Sequence, residues 1–208
     1  MKSFAIMFIA IVVLAAGFTL GVRYQERVEN RSATHALVEV QKLRIDKLQE
    51  DAMRLRTALL LRDYLEEVRV RLPKTTYQTI ADGIADASIR YGVPPETILA
   101  VIRIESGFDV NAESDAGAIG LMQVLPSTAE EVAHELRMEW PGDALLRDPA
   151  ANIRIGTYYL TKMLAQFNDL ALALSAYNEG PARTAERAVD RGGAPTLYSQ
   201  KVLSYAAP

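Results

Sequence analysis

Glu105 closes a stripe of apolar residues. Ile98, Val101, Ile102 and Glu105 follow one another at i, i+3, i+4 and i+7, the spacing that puts side chains on one face of a helix. A carboxyl at the edge of such a face is poorly solvated when ionised, so its pKa rises and it can carry a proton near neutral pH, as a general acid must. The same position also suits a carboxylate that caps the next helix or pairs with Arg103. Downstream, Gly117 and Gly120 permit close approach of backbone to a ligand, and Gln123 offers both donor and acceptor to sugar hydroxyls or amides. A second stripe, Leu170, Ala173, Leu174 and Tyr177, ends in a phenol and is followed at once by Asn178. Taken alone, Tyr177 also fits a core residue with a satisfied hydroxyl.

The elements that must position these groups read as short helices. Tyr77 to Tyr91 carries Ile80, Ile84 and Ala87 on one face and stops at Gly92, a natural left-handed cap. Pro94 and Pro95 open the helix that bears Glu105. Ser127 and Glu130 have capping-box spacing behind Pro126. Asp148 and Pro149 start a helix with Ile153, Gly156, Leu160, Leu164 and Phe167 at helical intervals. Another runs from about Asp169 to Tyr177, and Gly180 with Pro181 separates it from a final segment. No alternating strand pattern appears, so the expected fold class is mainly α.

The rest of the chain limits the chemistry. It has 208 residues, no cysteine, and two isolated histidines, His35 and His134. Thiolate chemistry and disulfides are excluded, and no metal set is apparent. Residues 1–73 carry net charge +3 and residues 74–208 net −6, and an acidic domain without a basic patch argues against a nucleic-acid partner. Lys2 precedes Phe4–Val22, in which Thr19 is the sole side chain outside the apolar and glycine set. A run of this length, about 20 residues, suits a single-pass helix. The competing reading is a cleaved signal peptide with Ala15, Ala16 and Gly17 near its cleavage point. Either way the remainder is exported.

Between these parts, residues 23–73 lack glycine, and Pro73 is their first proline, so they read as one long helix or two joined ones, with the C-terminal domain at 74–208. Val38, Ile45, Ala52 and Leu59 recur every seven residues, Leu48 and Leu55 fill the intermediate row, and Gln41 and Arg62 interrupt it. That is a short seam for a homodimeric coiled coil or an envelope-complex partner, or else a stalk helix that packs elsewhere.

The stretches "PPETILAVIRIESGFDVNAESDAGAIGLMQVLPSTA", "NIRIGTYYLTKML" and "ALSAYNEGPAR", in this order, resemble the successive motifs of the soluble lytic transglycosylase family, whose catalytic domain is lysozyme-like. The resemblance spans roughly Thr75 to Leu203. It implies non-hydrolytic cleavage of the β-1,4 bond between N-acetylmuramic acid and N-acetylglucosamine in peptidoglycan, with formation of a 1,6-anhydromuramyl end and no cofactor. Glu105 matches the family's single catalytic acid. Ser114 matches a serine near the muramyl N-acetyl group, Met122 and Gln123 match groove-lining positions, and Tyr177 with Asn178 matches the pocket "AYN". Tyr198 aligns with a tyrosine of the closing motif.

Most glycosidases use two carboxylates. Asp109, Glu113 and Asp115 lie in a polar loop and read as solvated loop residues; the resemblance implies that the substrate's own 2-acetamido group takes the second part. Two departures stand out. The family's "AYNAGPG" is here "AYNEGPA", placing Glu179 and Ala182 at the groove wall, and Ala194 to Leu197 stand where an acidic residue and an arginine ordinarily precede the tyrosine. The alternatives are a hydrolytic muramidase on the same fold and a weakly active peptidoglycan-binding scaffold.

Overall fold

The computed structural model describes residues 2–191 and 193–207, with side chains for all of these except 2–13, 15, 26–30, 32–33 and 191. The first helix, α1 (Lys2–Val68), is unbroken, so the expected stalk is one helix rather than two. Most side chains of the apolar run Phe4–Val22 lie outside the described residues. Among the described residues no helix is long and apolar enough to cross a membrane.

By compactness the chain divides into two units, Met1–Gln49 and Glu50–Pro208. In the first, Val38, Ile45 and Leu48 of the heptad rows are exposed. In the second, Leu55 and Leu59 of the same rows are exposed as well, while Thr57, Leu61 and Leu65 are buried at 0%, 0% and 6% exposure. These three stand at i, i+4 and i+8, a different face of the helix from the heptad seam.

That face extends the compact unit back beyond the expected limit at Pro73. A new helix, α2 (Lys74–Tyr91), does start there. The compact unit nevertheless reaches back to Glu50, because the last turns of α1 contribute to its core. Arg54 adds a 2.6 Å ion pair to Asp86 of α2, and Tyr77 of α2 donates to the Ala58 carbonyl at 2.5 Å.

The remaining elements are α3 (Pro95–Glu105), α4 (Pro126–Glu135), a 3-10 turn (Asp143–Arg147), α5 (Pro149–Phe167), α6 (Leu170–Glu179), α7 (Pro181–Arg191) and α8 (Leu197–Ala206). Among the described residues the only β geometry is a pair of isolated antiparallel bridges, Glu113 with Ile119 and Ile119 with Val124. The fold is therefore mainly α, as the patterning requires.

Most helix signals act as the sequence suggests. Gly92 ends α2 at φ 70°, and Asp148 and Asp169 accept from the amides of Ala151 and Leu172 at the starts of α5 and α6. The capping box at Ser127 and Glu130 does not form. Pro126 already occupies the first helical position, Leu125 is the cap residue, and no side-chain cap bond exists there, because Ser127 has been carried inside the first turn.

Candidate active site

Glu105 is the last residue of α3, where the apolar stripe meets a cleft. It is only partly exposed. Its Oε1 accepts a 2.5 Å hydrogen bond from the Tyr198 hydroxyl of α8. Burial pushes its pKa up to about 7, and the Tyr198 hydrogen bond works against that rise. The alternative pairing with Arg103 is not adopted. Arg103 instead grips Glu67 of α1 with two hydrogen bonds of 3.0 and 2.9 Å.

The loop after α3 forms one wall. Ser106 donates to the Leu121 carbonyl at 2.9 Å, tying the end of α3 to the "GLMQ" segment. That segment is held from below by Asn152 of α5, which is fully buried. Asn152 Oδ1 accepts from the Met122 amide at 2.8 Å, and Nδ2 donates to the carbonyls of Ile119 and Leu146 at 2.9 Å each. One buried amide thereby bonds three backbone groups, the Met122 amide and the Ile119 carbonyl of the loop and the Leu146 carbonyl of the 3-10 turn, and ties the two segments to α5.

Two glycines make this approach feasible. Gly120 has φ 81°, and a Cβ there would lie 2.3 Å from the Leu146 carbonyl oxygen. A Cβ on Gly156 of α5 would lie 2.8 Å from Met122 Cβ and 3.0 Å from the Tyr177 hydroxyl. Loop, α5 and α6 can meet only because that position lacks a side chain.

The cleft has a volume of about 460 Å³ and is lined by Glu105, Ser114, Gln123, Tyr159, Tyr177, Asn178 and Glu179 among others. Gln123, at φ 48°, spends its amide donor on the carbonyls of Gly120 and Ala112 at 3.0 and 3.2 Å, so what its side-chain amide has left to offer is the acceptor Oε1. Ser114 is exposed, and its Oγ accepts from the Ala118 amide at 3.1 Å. The hydroxyl proton is thus left to point elsewhere. Tyr177 donates to the Met122 carbonyl at 2.7 Å, so its phenol braces the loop, and burial drives its pKa well up.

Of the residues singled out in the sequence, Glu105, Ser114, Gln123, Tyr177 and Asn178 line one cleft. Tyr198 reaches it through its bond to Glu105 and lines an adjoining cavity of about 500 Å³. Met122 requires correction: its side chain is fully buried in the core and does not line the cleft, and its contribution is the backbone groups bound by Asn152 and Tyr177. Asp109, Glu113 and Asp115 stay out of the cleft lining. Glu113 pairs with Arg147 at 2.6 Å, and Asp109 accepts from the Asn111 amide at 2.9 Å.

Sequence reasoning missed Tyr159, Asn152 and Gly156. Tyr159 lines the cleft with its ring 5.5 Å from that of Tyr177. Asn152 and Gly156 stand one helical turn apart, a polar side chain and a glycine inside an otherwise apolar helical face, and that was the available signal.

Glu179 is the second carboxyl at the cleft. Burial alone would raise its pKa, but hydrogen bonds from Arg187 (2.8 Å) and Thr184 (2.9 Å) hold it below the usual carboxylate range. Among the described residues no cluster of ligands suits a metal ion.

A mainly helical domain that seats one raised-pKa carboxyl in a cleft between its third and sixth helices has the lysozyme-like arrangement. The chain belongs to the transglycosylase SLT domain family, whose pattern matches residues 82–196, more than half of its length. It is 40% identical over 90 residues to the soluble lytic murein transglycosylase of Salmonella typhimurium, covering 41% of this chain and 14% of that relative. It is 42% identical over 79 residues to the membrane-bound lytic murein transglycosylase C of Serratia proteamaculans, covering 37% and 22%. The chain thus spans less than a quarter of the length of either relative.

Among solved structures, an inactive mutant of the lytic transglycosylase Slt from Pseudomonas aeruginosa superimposes with a TM-score of 0.56 at 33% identity, covering 60% of this chain and 23% of that one. A 70-kDa soluble lytic transglycosylase in complex with bulgecin A gives the same TM-score at 28% identity, covering 60% and 23%.

Proposed function

We propose that this protein is a peptidoglycan lytic transglycosylase with Glu105 as its one acid and base. The observation that carries the reading is the contrast between the two cleft carboxyls. Glu105 holds a proton up to about pH 7, while Glu179 is committed as a carboxylate to Arg187 and Thr184. A pair of carboxyls available to the same glycosidic bond, as most glycosidases use, is absent from the described cleft.

In the proposed reaction the Glu105 proton passes to the glycosidic oxygen as the bond from C1 to that oxygen breaks, and the bonding electron pair leaves with the N-acetylglucosamine. The muramyl 2-acetamido group stabilises the positive charge at C1. Its positioning falls to Ser114, whose hydroxyl proton is unspent on Ala118, and to the Gln123 acceptor. The Glu105 carboxylate, steadied by the Tyr198 hydroxyl, then takes the proton from the C6 hydroxyl as that oxygen bonds to C1. Glu105 returns protonated, and the product carries a 1,6-anhydro ring. Asn178, beside Tyr177 on the cleft rim, is placed to meet a neighbouring sugar.

The proposed location is the periplasmic side of the inner membrane, with residues 1–22 as a single-pass anchor and residues from 23 onward exported. The apolar run Phe4–Val22 behind Lys2, within one continuous helix, supports it. The exposed heptad residues of α1 are suited to a second copy or another envelope partner.

Digestion in H₂¹⁸O separates the proposed reaction from hydrolysis. A transglycosylase leaves muramyl ends without solvent oxygen. Incorporation of one ¹⁸O at C1 would assign the protein as a muramidase.

A further inference from the structure

The bond from Tyr198 to Glu105 depends on where α8 lies, and α8 is fixed at both ends. At its start, the Thr196 hydroxyl caps the helix by accepting from the Ser199 amide at 3.1 Å. The same hydroxyl meets Ser175 of α6 at 3.0 Å. At its far end the helix meets α1. Tyr64 donates to the Tyr205 carbonyl, and the Arg103 guanidinium lies over the Tyr205 ring with 3.8 Å between Cζ and the ring centroid.

Arg103 is placed in turn by Glu67, whose two carboxylate oxygens take one hydrogen bond each, at 3.0 and 2.9 Å. It also lies 5.7 Å from the Tyr64 ring centroid. The guanidinium side chain is 16% exposed and Glu67 62% exposed. A planar cation fixed by a bidentate carboxylate and stacked on a phenol has little freedom to swing.

The register connects this cluster to the site. Tyr198 and Tyr205 stand at i and i+7 of α8, two turns apart on one face, and both turn toward α3, where Arg103 and Glu105 are two residues apart. A rotation or slide of α8 against α3 large enough to release Tyr205 from Arg103 would also carry Tyr198 from Glu105.

We propose that Glu67 and Tyr64, at the end of α1, are positioning residues for the active site: through Arg103 and Tyr205 they hold α8 against α3 and so keep the Tyr198 hydroxyl on Glu105. On this view the last turns of the stalk are part of the site's support, not a passive spacer. The inference rests on the functional reading only in giving Glu105 and Tyr198 a catalytic use, since the clamp itself is a matter of geometry.

The test compares full-length Glu67→Gln and Arg103→Met with Tyr198→Phe. Loss of the Tyr198 hydrogen bond removes stabilisation of the Glu105 carboxylate, so in Tyr198→Phe the Glu105 pKa rises further. Carbon-13 carboxyl NMR titration of Glu105, which needs no substrate, is expected to show the same upward direction in Glu67→Gln and Arg103→Met, by a fraction of the Tyr198→Phe shift. Steady-state assay on sacculi is expected to show kcat reduced several-fold with KM unchanged. Adding Glu67→Gln to Tyr198→Phe is expected to move the titration no further, and Arg103→Lys is expected to shift it less than Arg103→Met does.

A lowered Tm with an unmoved Glu105 titration would overturn the proposal and leave the cluster a structural one. A shifted titration in a protein that cleaves nothing would keep the clamp and refute the function instead.

Discussion

Tyr198 donates a 2.5 Å hydrogen bond to Glu105 across 93 residues of sequence, joining the C-terminal helix to the acid at the end of α3. The bond stabilises the charged form of Glu105 against the burial that disfavours it. In the proposed reaction the carboxylate exists only after the first proton transfer, so this bond strengthens as the reaction proceeds and acts on the barrier rather than on binding. Tyr198→Phe is expected to lower kcat by about 10- to 100-fold, the range expected from one hydrogen bond to a charged group at roughly 1.5–3 kcal/mol, with little change in KM. An unchanged kcat would remove Tyr198 from the reaction.

Glu105 also gives the protein a pH signature. With a folded pKa of about 7 against the ordinary carboxyl value of 4.5, the folded state keeps a proton that the unfolded chain has already released. Between these values the folded state therefore binds more protons, and this group's contribution to stability falls as pH rises. Glu105→Gln, which fixes the neutral form, is expected to raise Tm at pH 8 and to leave it nearly unchanged at pH 4, with a difference on the order of 2–3 kcal/mol at the alkaline end. Cleavage by the wild type should decline above about pH 7 as the acid ionises. Thermal melts at the two pH values and a pH–rate profile check both expectations. An equal Tm change at both pH values would mean that Glu105 titrates normally.

Gly156 is the tightest packing position behind the cleft. A methyl group there would meet Met122 Cβ at 2.8 Å and the Tyr177 hydroxyl at 3.0 Å. The first of these is not the flexible tip of a side chain and cannot swing away. Gly156→Ala is expected to destabilise the domain by about 1–3 kcal/mol, and to reduce cleavage more than Gly83→Ala does. A Cβ on Gly83 would touch Ile153 at 3.4 Å, an ordinary contact. Paired urea melts and activity assays measure the contrast, and equal effects would count against the crowding at Gly156.

The folded unit begins inside α1. Leu61 and Leu65 are buried at 0% and 6% exposure, and full burial of such side chains contributes about 1.5–3 kcal/mol each. A chain starting at Glu50 is expected to melt at the same temperature as the full protein, measured in the same detergent. One starting at Lys74 should lose Leu61, Leu65 and the Tyr77 bond to Ala58 and melt many degrees lower. Equal melting of the two shortened chains would place the limit at Pro73 after all.

The sequence was most informative where a local rule decided the outcome. Helix stops at Gly92 and starts at Asp148 and Asp169 depend on a few neighbouring atoms, and the stripe ending in Glu105 depends on one helical period. It was least informative where tertiary contacts decided. Met122 is expected in the cleft only because "GLMQ" matches the family's groove-lining positions. The buried amide of Asn152 turns the loop so that the Met122 side chain enters the core while Gln123 faces out. Pro73 marked a helix break, but nothing local says that Thr57, Leu61 and Leu65, rather than the heptad seam of Leu55 and Leu59, would form the buried face. Arg103, beside Glu105 in sequence, pairs with a residue 36 positions away.

The most direct test of the central claim is mass spectrometry of the muropeptides released from purified sacculi by the full-length protein and by its Glu105→Gln variant, at pH 6. The expected result is 1,6-anhydromuramyl products from the wild type and a loss of at least about 100-fold in the variant, the usual scale for removing a general acid. Reducing-end products from the wild type, or undiminished anhydromuramyl products from Glu105→Gln, would contradict it.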